Sequence, residues 1–255
     1  MASFDSKHII VTGGGGGIGS ATVRRFAAAG GKVSVFDRDI SPAEAIASSV
    51  SASGGEAQAF HCDITDRVQV DAAVASAVET FGPVAVLVNN AGWDIFCPFL
   101  KTTPDDWQRL ININLVGALH MHHAVLPMMI EQNYGRIVNI ASDAARVGST
   151  GAAVYSACKA AVVALTKTLA REHSRHNVTL NAVCPGPTDT ALFADFKNAA
   201  GNPEKLLEGF RRSIPLGRIG VPEDLPGAIL FFASDDAAFV TGQVLSVSGG
   251  LTMAG

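Results

Sequence analysis

The chain has 255 residues, 48% of them apolar and 16% charged, with a formal net charge of −4, which suits one α/β domain with a full core and no need of staples. That mild acidity, without a basic run, excludes a general attraction to nucleic acid or anionic membrane. No apolar stretch approaches the ~20 residues that span a bilayer, and no basic segment leads into an apolar block at the start, so a soluble, cytoplasmic protein is expected.

The first element is K-H-I-I-V-T, Lys7 to Thr12, a β-branched apolar run suited to a buried parallel strand. Five glycines, Gly13 to Gly17, follow it, then Ile18 and Gly19. From Ser20 to Ala29 the pattern turns helical, with Ala21, Val23, Phe26 and Ala27 on its apolar side. Strand, glycine turn and helix form the phosphate-binding opening of a βαβ unit, the pyrophosphate lying against the positive end of the helix. The glycines fit two spacings, Gly14/Gly16/Gly19 and Gly13/Gly17/Gly19. The second strand, Lys32 to Asp37, ends in a carboxylate. There an acid accepts hydrogen bonds from the adenosine ribose and repels a 2′-phosphate, which favours NAD over NADP. Arg38 is the one neighbour able to greet such a phosphate.

A helix is predicted near Pro42 to Ser53, and a third strand from Glu56 to His61. Asp63 is placed either to meet the adenine edge or, like Asp66, to start the next helix. The apolar run Val84 to Val88 reads as a central strand, closed by Asn89-Asn90-Ala91-Gly92, where small residues let a cofactor approach the backbone. Arg136 to Ile140 is the fifth strand and delivers Ser142; Val178 to Val183 is the sixth, leading into Cys184-Pro185-Gly186-Pro187; Gln243 to Val247 is the seventh. With no linker or repeat, this alternation predicts a single domain over 1–255, a doubly wound Rossmann-type parallel sheet of about seven strands with helices on both faces. Gly13, Asp37, Asn90, Ser142 and Gly186 all fall where such folds gather ligands, at the carboxyl ends of strands.

Tyr155 and Lys159 stand four apart on a predicted helix and so share a face. A free tyrosine has a pKa of about 10, and a nearby cation favours the phenolate. Ser142 can hold the oxygen being oxidised or reduced. Cys62, Cys97, Cys158 and Cys184 have no metal-like spacing and read as reduced, packed thiols, Cys158 facing away from the Tyr155 side. His120, His122 and His123 lack an acidic ligand at suitable spacing; packing at a subunit interface is the expectation, with no metal.

With these residues in place the chain resembles the short-chain dehydrogenase/reductase family over essentially its whole length. The marks are T-G-G-G-G-G-I-G at 12–19, C-D-I at 62–64, N-N-A-G at 89–92, N-I-N-L-V-G at 112–117, Ser142, Y-S-A-C-K at 155–159 and P-G-P-T-D-T at 185–190. The resemblance implies a catalytic tetrad of Asn114, Ser142, Tyr155 and Lys159, in which Tyr155 exchanges the proton, Lys159 holds the nicotinamide ribose and lowers the tyrosine pKa, Ser142 orients the substrate, and Asn114 binds a water linking Lys159 to solvent. It implies cofactor contacts from Gly13, Gly16, Gly17, Ile18, Gly19, Asp37, Asp63, Ile64, Asn90, Ala91, Gly92, Tyr155, Lys159, Pro185 and Gly186. Thr188 or Thr190 would touch the carboxamide. It also implies direct hydride transfer without a metal, and a homotetramer with the tail Leu251 to Gly255 at an interface.

Within the family the chain looks most like 2-hydroxycyclohexanecarboxyl-CoA dehydrogenases, in G-W-D-I-F at 92–96, G-A-L-H-M-H-H-A-V-L-P at 117–127, I-A-S-D-A-A-R-V-G at 140–148 and S-V-S-G-G-L-T-M at 246–253. The 3-oxoacyl-thioester reductases, acting on acyl carrier protein or CoA, share the framework and remain the alternative. A regulator that binds NAD without turnover predicts lost catalytic residues, whereas all four are present. Trp93 and Phe96 are candidates either to wall an alicyclic ring or for ordinary packing. Asp143 and Arg146 follow the serine as further substrate candidates, Arg146 either to reach a CoA phosphate or to form a surface ion pair. Residues 188–215, with Gly201-Asn202-Pro203 inside, read as a mobile lid.

Overall fold

Short β-branched runs with both faces apolar can only be satisfied in the middle of a sheet covered twice. The computed structural model, which describes residues 3–199 and 202–254, places them there. Chain order begins β1 (His8–Thr12), α1 (Gly17–Ala28), β2 (Lys32–Asp37), α2 (Ile40–Ala52), β3 (Glu56–His61), α3 (Arg67–Phe81) and β4 (Val84–Asn89). It continues α4 (Pro104–Ile111), α5 (Gly117–Glu131), β5 (Gly135–Ile140), α6 (Ala144–Val147), α7 (Ala153–His173) and β6 (Val178–Pro185), then α8 (Ala191–Ala199), α9 (Pro203–Ser213), α10 (Pro226–Ala233) and β7 (Val244–Val247). Strands pair in the order β3-β2-β1-β4-β5-β6-β7, all in parallel.

Successive side chains of a strand point to opposite faces, and two cores result. Ile9, Val11, Val86, Val88 and Val138 pack on one face with α1 and α10; Ile10, Leu87, Ile137 and Leu180 pack on the other with α3 and α5. Strand boundaries match the sequence reading except at β6, which runs on through Pro185 because Cys184 and Pro185 pair with Ser246 and Val247. The Asp66 carboxylate caps α3, accepting from the Val68 and Gln69 amides, whereas Asp63 accepts from the Thr65 amide and hydroxyl at 2.9 and 2.7 Å. Of the two helix-start candidates, Asp66 is therefore the cap and Asp63 shapes the turn before it.

The continuous helical stretches Pro104–Glu131 and Ala153–His176 are long and apolar enough to cross a membrane by length and composition, although no uninterrupted apolar run of that length is present. Both are used in the fold: α5 buries Met121, Val125 and Met129, and α7 buries Val162, Thr166 and Ala170 against the sheet. Between α4 and α5 the helix widens into a π-helical turn, Asn112–Val116, a local irregularity that frequently marks functional positions. The stretch 188–215, expected to be a lid, contains α8 and α9, with Phe193 and Phe210 rings 5.8 Å apart. Gly201 and the terminal Gly255 lie outside the described residues.

Candidate active site

Strand order reverses between β1 and β4, and the crevice above their carboxyl ends is where a doubly wound fold binds its ligand. Gly13 and Gly17 both hold positive φ, +61° and +51°, a region that a side chain disfavours. A Cβ on Gly19 would overlap the Gly13 carbonyl. The Gly13/Gly17/Gly19 spacing is thus the one the turn uses. Gly16 has φ −152°, which any residue adopts, and serves as N-cap of α1. That helix has no acid in its first turn and no capping side chain, so its leading amides are left to an anion. Ile18 packs its side chain against the core below.

Asp37 closes β2 beside this turn. One carboxylate oxygen accepts from the Gly15 amide at 2.9 Å and the other from the Asp39 amide at 3.1 Å, while Arg38 is exposed. Across the crevice the Asn90 side-chain amide donates to the Thr12 and Gly13 carbonyls at 3.0 and 3.1 Å. The Thr12 hydroxyl accepts from the Asn90 and Ala91 amides at 3.0 and 3.1 Å. Asn90 is therefore a clamp between the β1 and β4 loops. Thr12, absent from the sequence-based site, is its counterpart, and the available signal was a hydroxyl directly before the glycines. Ile64 packs against Gly117 at the start of α5. Gly186 is held by its amide on the Val247 carbonyl at 3.1 Å, and Pro185 ends β6. Thr188 turns its hydroxyl back to the Gly186 carbonyl at 2.9 Å. Thr190 lies over Gly17 and accepts from the Phe193 amide at 3.3 Å. These residues frame a slot with backbone exposed at the glycine turn and an acid at its far end, which fits a dinucleotide.

Ser142, Tyr155 and Lys159 do converge. Ser142 follows β5, its oxygen accepting from the Ala144 amide at 3.1 Å, and its hydroxyl lies beside the Tyr155 phenol. Lys159, only 4% exposed, donates from Nζ to the Ile140 carbonyl at 2.9 Å and lies 5.7 Å from the Tyr155 ring centroid. The expected lowering of the tyrosine pKa is not realised in this arrangement. Protein packed around the hydroxyl pushes it well above 10, with the Asp94 charge adding to the rise and the Ser142 hydroxyl opposing it. Burial likewise lowers Lys159 to about 8. Asn114 is buried in the π-helical turn, donating to the Trp93 and Leu110 carbonyls at 2.7 and 3.0 Å and accepting from the Trp93 amide at 3.2 Å. Its side chain clamps the loop after β4. Together with Lys159, Thr12 and Asn89 it lines one small cavity. A Cβ on Gly92 would press on Asn114 Oδ1 and Lys159 Nζ, at 3.0 and 3.2 Å.

The residues assigned to the substrate fare differently. Trp93 is covered on one face by the Arg109 guanidinium, 3.9 Å from its ring centroid, and the Phe96 ring packs against Gly151. The cavity beside Tyr155 is lined instead by Asp94, Ile95, Cys97 and Phe99 from the same segment. Asp143 and Arg146 are not free for a substrate: Asp143 accepts from the Ser246 hydroxyl at 2.5 Å. Arg146 donates to Ser246 Oγ at 3.0 Å and to the Ala254 carbonyl, fastening the C-terminal segment. Both contacts join residues about a hundred positions apart, which spacing along the chain could not reveal. Of the histidines, His122 differs from expectation: it is buried inside the chain against the Ala118 carbonyl, its pKa lowered by burial to about 4. His120 bonds the Ile64 carbonyl at 2.9 Å, and His123 is exposed. All four cysteines are free, and no group of metal-ligating side chains occurs among the described residues.

The family model for short chain dehydrogenase matches residues 7–200. The chain is 40% identical to a 2,3-dihydroxy-2,3-dihydro-p-cumate dehydrogenase of Pseudomonas putida, over 98% of this chain and 96% of that protein. It is 38% identical to the (2S)-[(R)-hydroxy(phenyl)methyl]succinyl-CoA dehydrogenase subunit BbsD of Thauera aromatica, over 98% of each. The solved structure of a 3-ketoacyl-(acyl-carrier-protein) reductase from Brucella melitensis, complexed with NADH, superposes with a TM-score of 0.90 at 34% identity, covering 98% of this chain and all of that one. The fold agrees with these matches, and the chain belongs to the short-chain dehydrogenase/reductase family of oxidoreductases.

Proposed function

We propose that the protein is an NAD-dependent dehydrogenase that oxidises the β-hydroxyl of a hydroxyacyl-CoA, with 2-hydroxycyclohexanecarboxyl-CoA as its substrate. The observation that carries this reading is the convergence of Ser142 and Tyr155 with the buried Lys159, on the same edge of the sheet as Asp37 and the glycine turn. The acid at Asp37 supports NAD over NADP. A thioester substrate is supported by the likeness to the acyl-CoA enzyme of Thauera and by the shared β-oxygen chemistry of the 3-ketoacyl reductases.

When bound, the nicotinamide ring supplies the hydride acceptor. The chain's part is to place and deprotonate the alcohol. Ser142 and Tyr155 hold the substrate oxygen; Tyr155 first gives up its own phenolic proton, and the phenolate then takes the alcohol proton as hydride leaves the carbon bearing that oxygen. In reduction the same atom returns the proton. Lys159, with a pKa of about 8, is charged at neutral pH and favours the phenolate as it forms. The cavity lined by Asn114 and Lys159 has room and polar partners for a water that passes the proton outward. Closure of α8 and α9 over the crevice would exclude bulk water. Exposed Phe231, Phe239, Leu245 and Met253 support association of four copies, and a cytoplasmic location remains part of the proposal.

The alternative, reduction of 3-oxoacyl groups on acyl carrier protein, is favoured by the Brucella likeness. Initial rates of NADH formation with 2-hydroxycyclohexanecarbonyl-CoA, 3-hydroxybutyryl-CoA and NADP in place of NAD separate the two. A kcat/KM about a hundredfold higher for the cyclic thioester with NAD, a difference of about 2.7 kcal/mol, establishes the degradative assignment. Equal or better turnover of the linear thioester moves the protein to the general reductases.

A further inference from the structure

Asp94 has no place in the mechanism above, yet it stands in the same cleft. It lies two residues past the N-N-A-G turn and lines the cavity beside Tyr155 together with Leu110 and Ala153. Its Oδ1 accepts only from the adjacent Ile95 amide, at 2.8 Å, and Oδ2 has no hydrogen-bond partner among the described residues. It belongs to none of the ion pairs found there. The cation whose charge acts on it, Lys159, donates to the Ile140 carbonyl. A half-buried carboxyl without a counter-ion costs the fold free energy and here secures nothing beyond its own loop. Such a group earns its place only if something else meets it.

We propose that Asp94 is a specificity-determining residue whose carboxyl hydrogen-bonds the carbonyl oxygen of the substrate's thioester while Ser142 and Tyr155 hold the reacting oxygen. This rests on the reading of the substrate as a β-oxygenated thioester, in which the two oxygens are separated by three carbons and can be grasped from one wall. Donation to a carbonyl requires the protonated carboxyl, and burial raises Asp94 to about 7, so the donor form persists to neutrality. The titratable groups that face it are Tyr155, Cys158 and Lys159 from α7 and Cys97 on its own segment. Of these, the Lys159 ammonium is the one cation and limits the rise.

The test is a comparison of wild type, Asp94→Ala and Asp94→Asn on 2-hydroxycyclohexanecarbonyl-CoA and on cyclohexanol, which lacks the carbonyl. NADH affinity by fluorescence and the thermal midpoint serve as folding controls. For Asp94→Ala, loss of kcat/KM on the thioester should exceed loss on the alcohol by about tenfold, the worth of one good hydrogen bond. Asp94→Asn, still a donor, should recover most of the thioester activity and keep its thioester KM constant between pH 6 and 8, where the wild-type KM rises. Equal losses on both substrates, or an asparagine variant no better than alanine, overturn the assignment. If wild type itself prefers cyclohexanol, the thioester reading fails and takes this one with it. A wild-type preference for the thioester with equal losses in the variants removes Asp94 alone.

Discussion

At the scale of single residues the site is governed by competition between burial and charge. Tyr155 illustrates which wins: a cation 5.7 Å from its ring centroid does not offset the loss of water around the hydroxyl, because desolvation acts on the ionising atom itself. Its chemistry still depends on that one oxygen. Tyr155→Phe should lower kcat roughly 10³-fold with NADH affinity unchanged in fluorescence titration; a fall of only a few-fold would reassign the proton acceptor. Asp94 supplies a stability test with a defined sign. Its carboxyl is raised from 3.8 to about 7 in the fold, so between these values the unfolded chain ionises while the folded one resists. Its unfavourable contribution is absent below pH 4 and fully developed above pH 7. Asp94→Asn should match the wild-type thermal midpoint at pH 4 and exceed it at pH 8; parallel curves would mean that Asp94 is not buried as described. Lys159, lowered from 10.5 to about 8, contributes a constant unfavourable amount across that window and is relieved only as pH rises above about 8.

At the scale of elements, the cradle is made by two loops tied to each other rather than by one motif. Asn90 and Thr12 bind the β1 turn to the end of β4, and Asn114 binds the segment after Gly92 to the π-helical turn. The glycines are where these loops touch. Gly19→Ala puts a methyl group into the Gly13 carbonyl, so the turn must open. NADH affinity should fall about tenfold or more, equivalent to about 1.4 kcal/mol, with far-UV circular dichroism unchanged. Retained affinity would show that the turn can shift without consequence. The motif glycines, Asp37, and the strand and helix bearing Ser142, Tyr155 and Lys159 were legible in the sequence because each depends on local backbone demands. Asp143 and Arg146 were misread because their partners Ser246 and Ala254 come from the last strand and the tail.

Across the whole molecule, activity and stability are assigned to opposite edges of the sheet. At the amino ends of the strands, Lys7 donates to Tyr134 and Asp235 at 2.6 and 2.7 Å. Tyr134 donates to Asp235 at 2.9 Å, and the buried Arg136 stacks on Tyr134 at 4.3 Å. Asp235 is the only acid in this group, and its own exposure tempers its worth. Asp235→Asn should cost about 1 kcal/mol and lower the thermal midpoint by about 2–4 °C, with kcat/KM unchanged. An activity loss without a stability loss would contradict the separation.

What the sequence by itself determined was the sheet, its strand boundaries to within a residue or two, the glycine turn and the convergence of Ser142, Tyr155 and Lys159. Apolar periodicity, glycine placement and the four-residue helical repeat are local properties, and family resemblance reinforced them. Only the tertiary structure decided which glycine spacing the turn uses, that Asp66 rather than Asp63 caps α3, and that His122 is an internal residue. It alone placed Asp94 beside Tyr155 and set Asp143 and Arg146 to hold the tail. Those outcomes turn on contacts between distant segments and on the exclusion of water around particular atoms, neither of which residue spacing encodes.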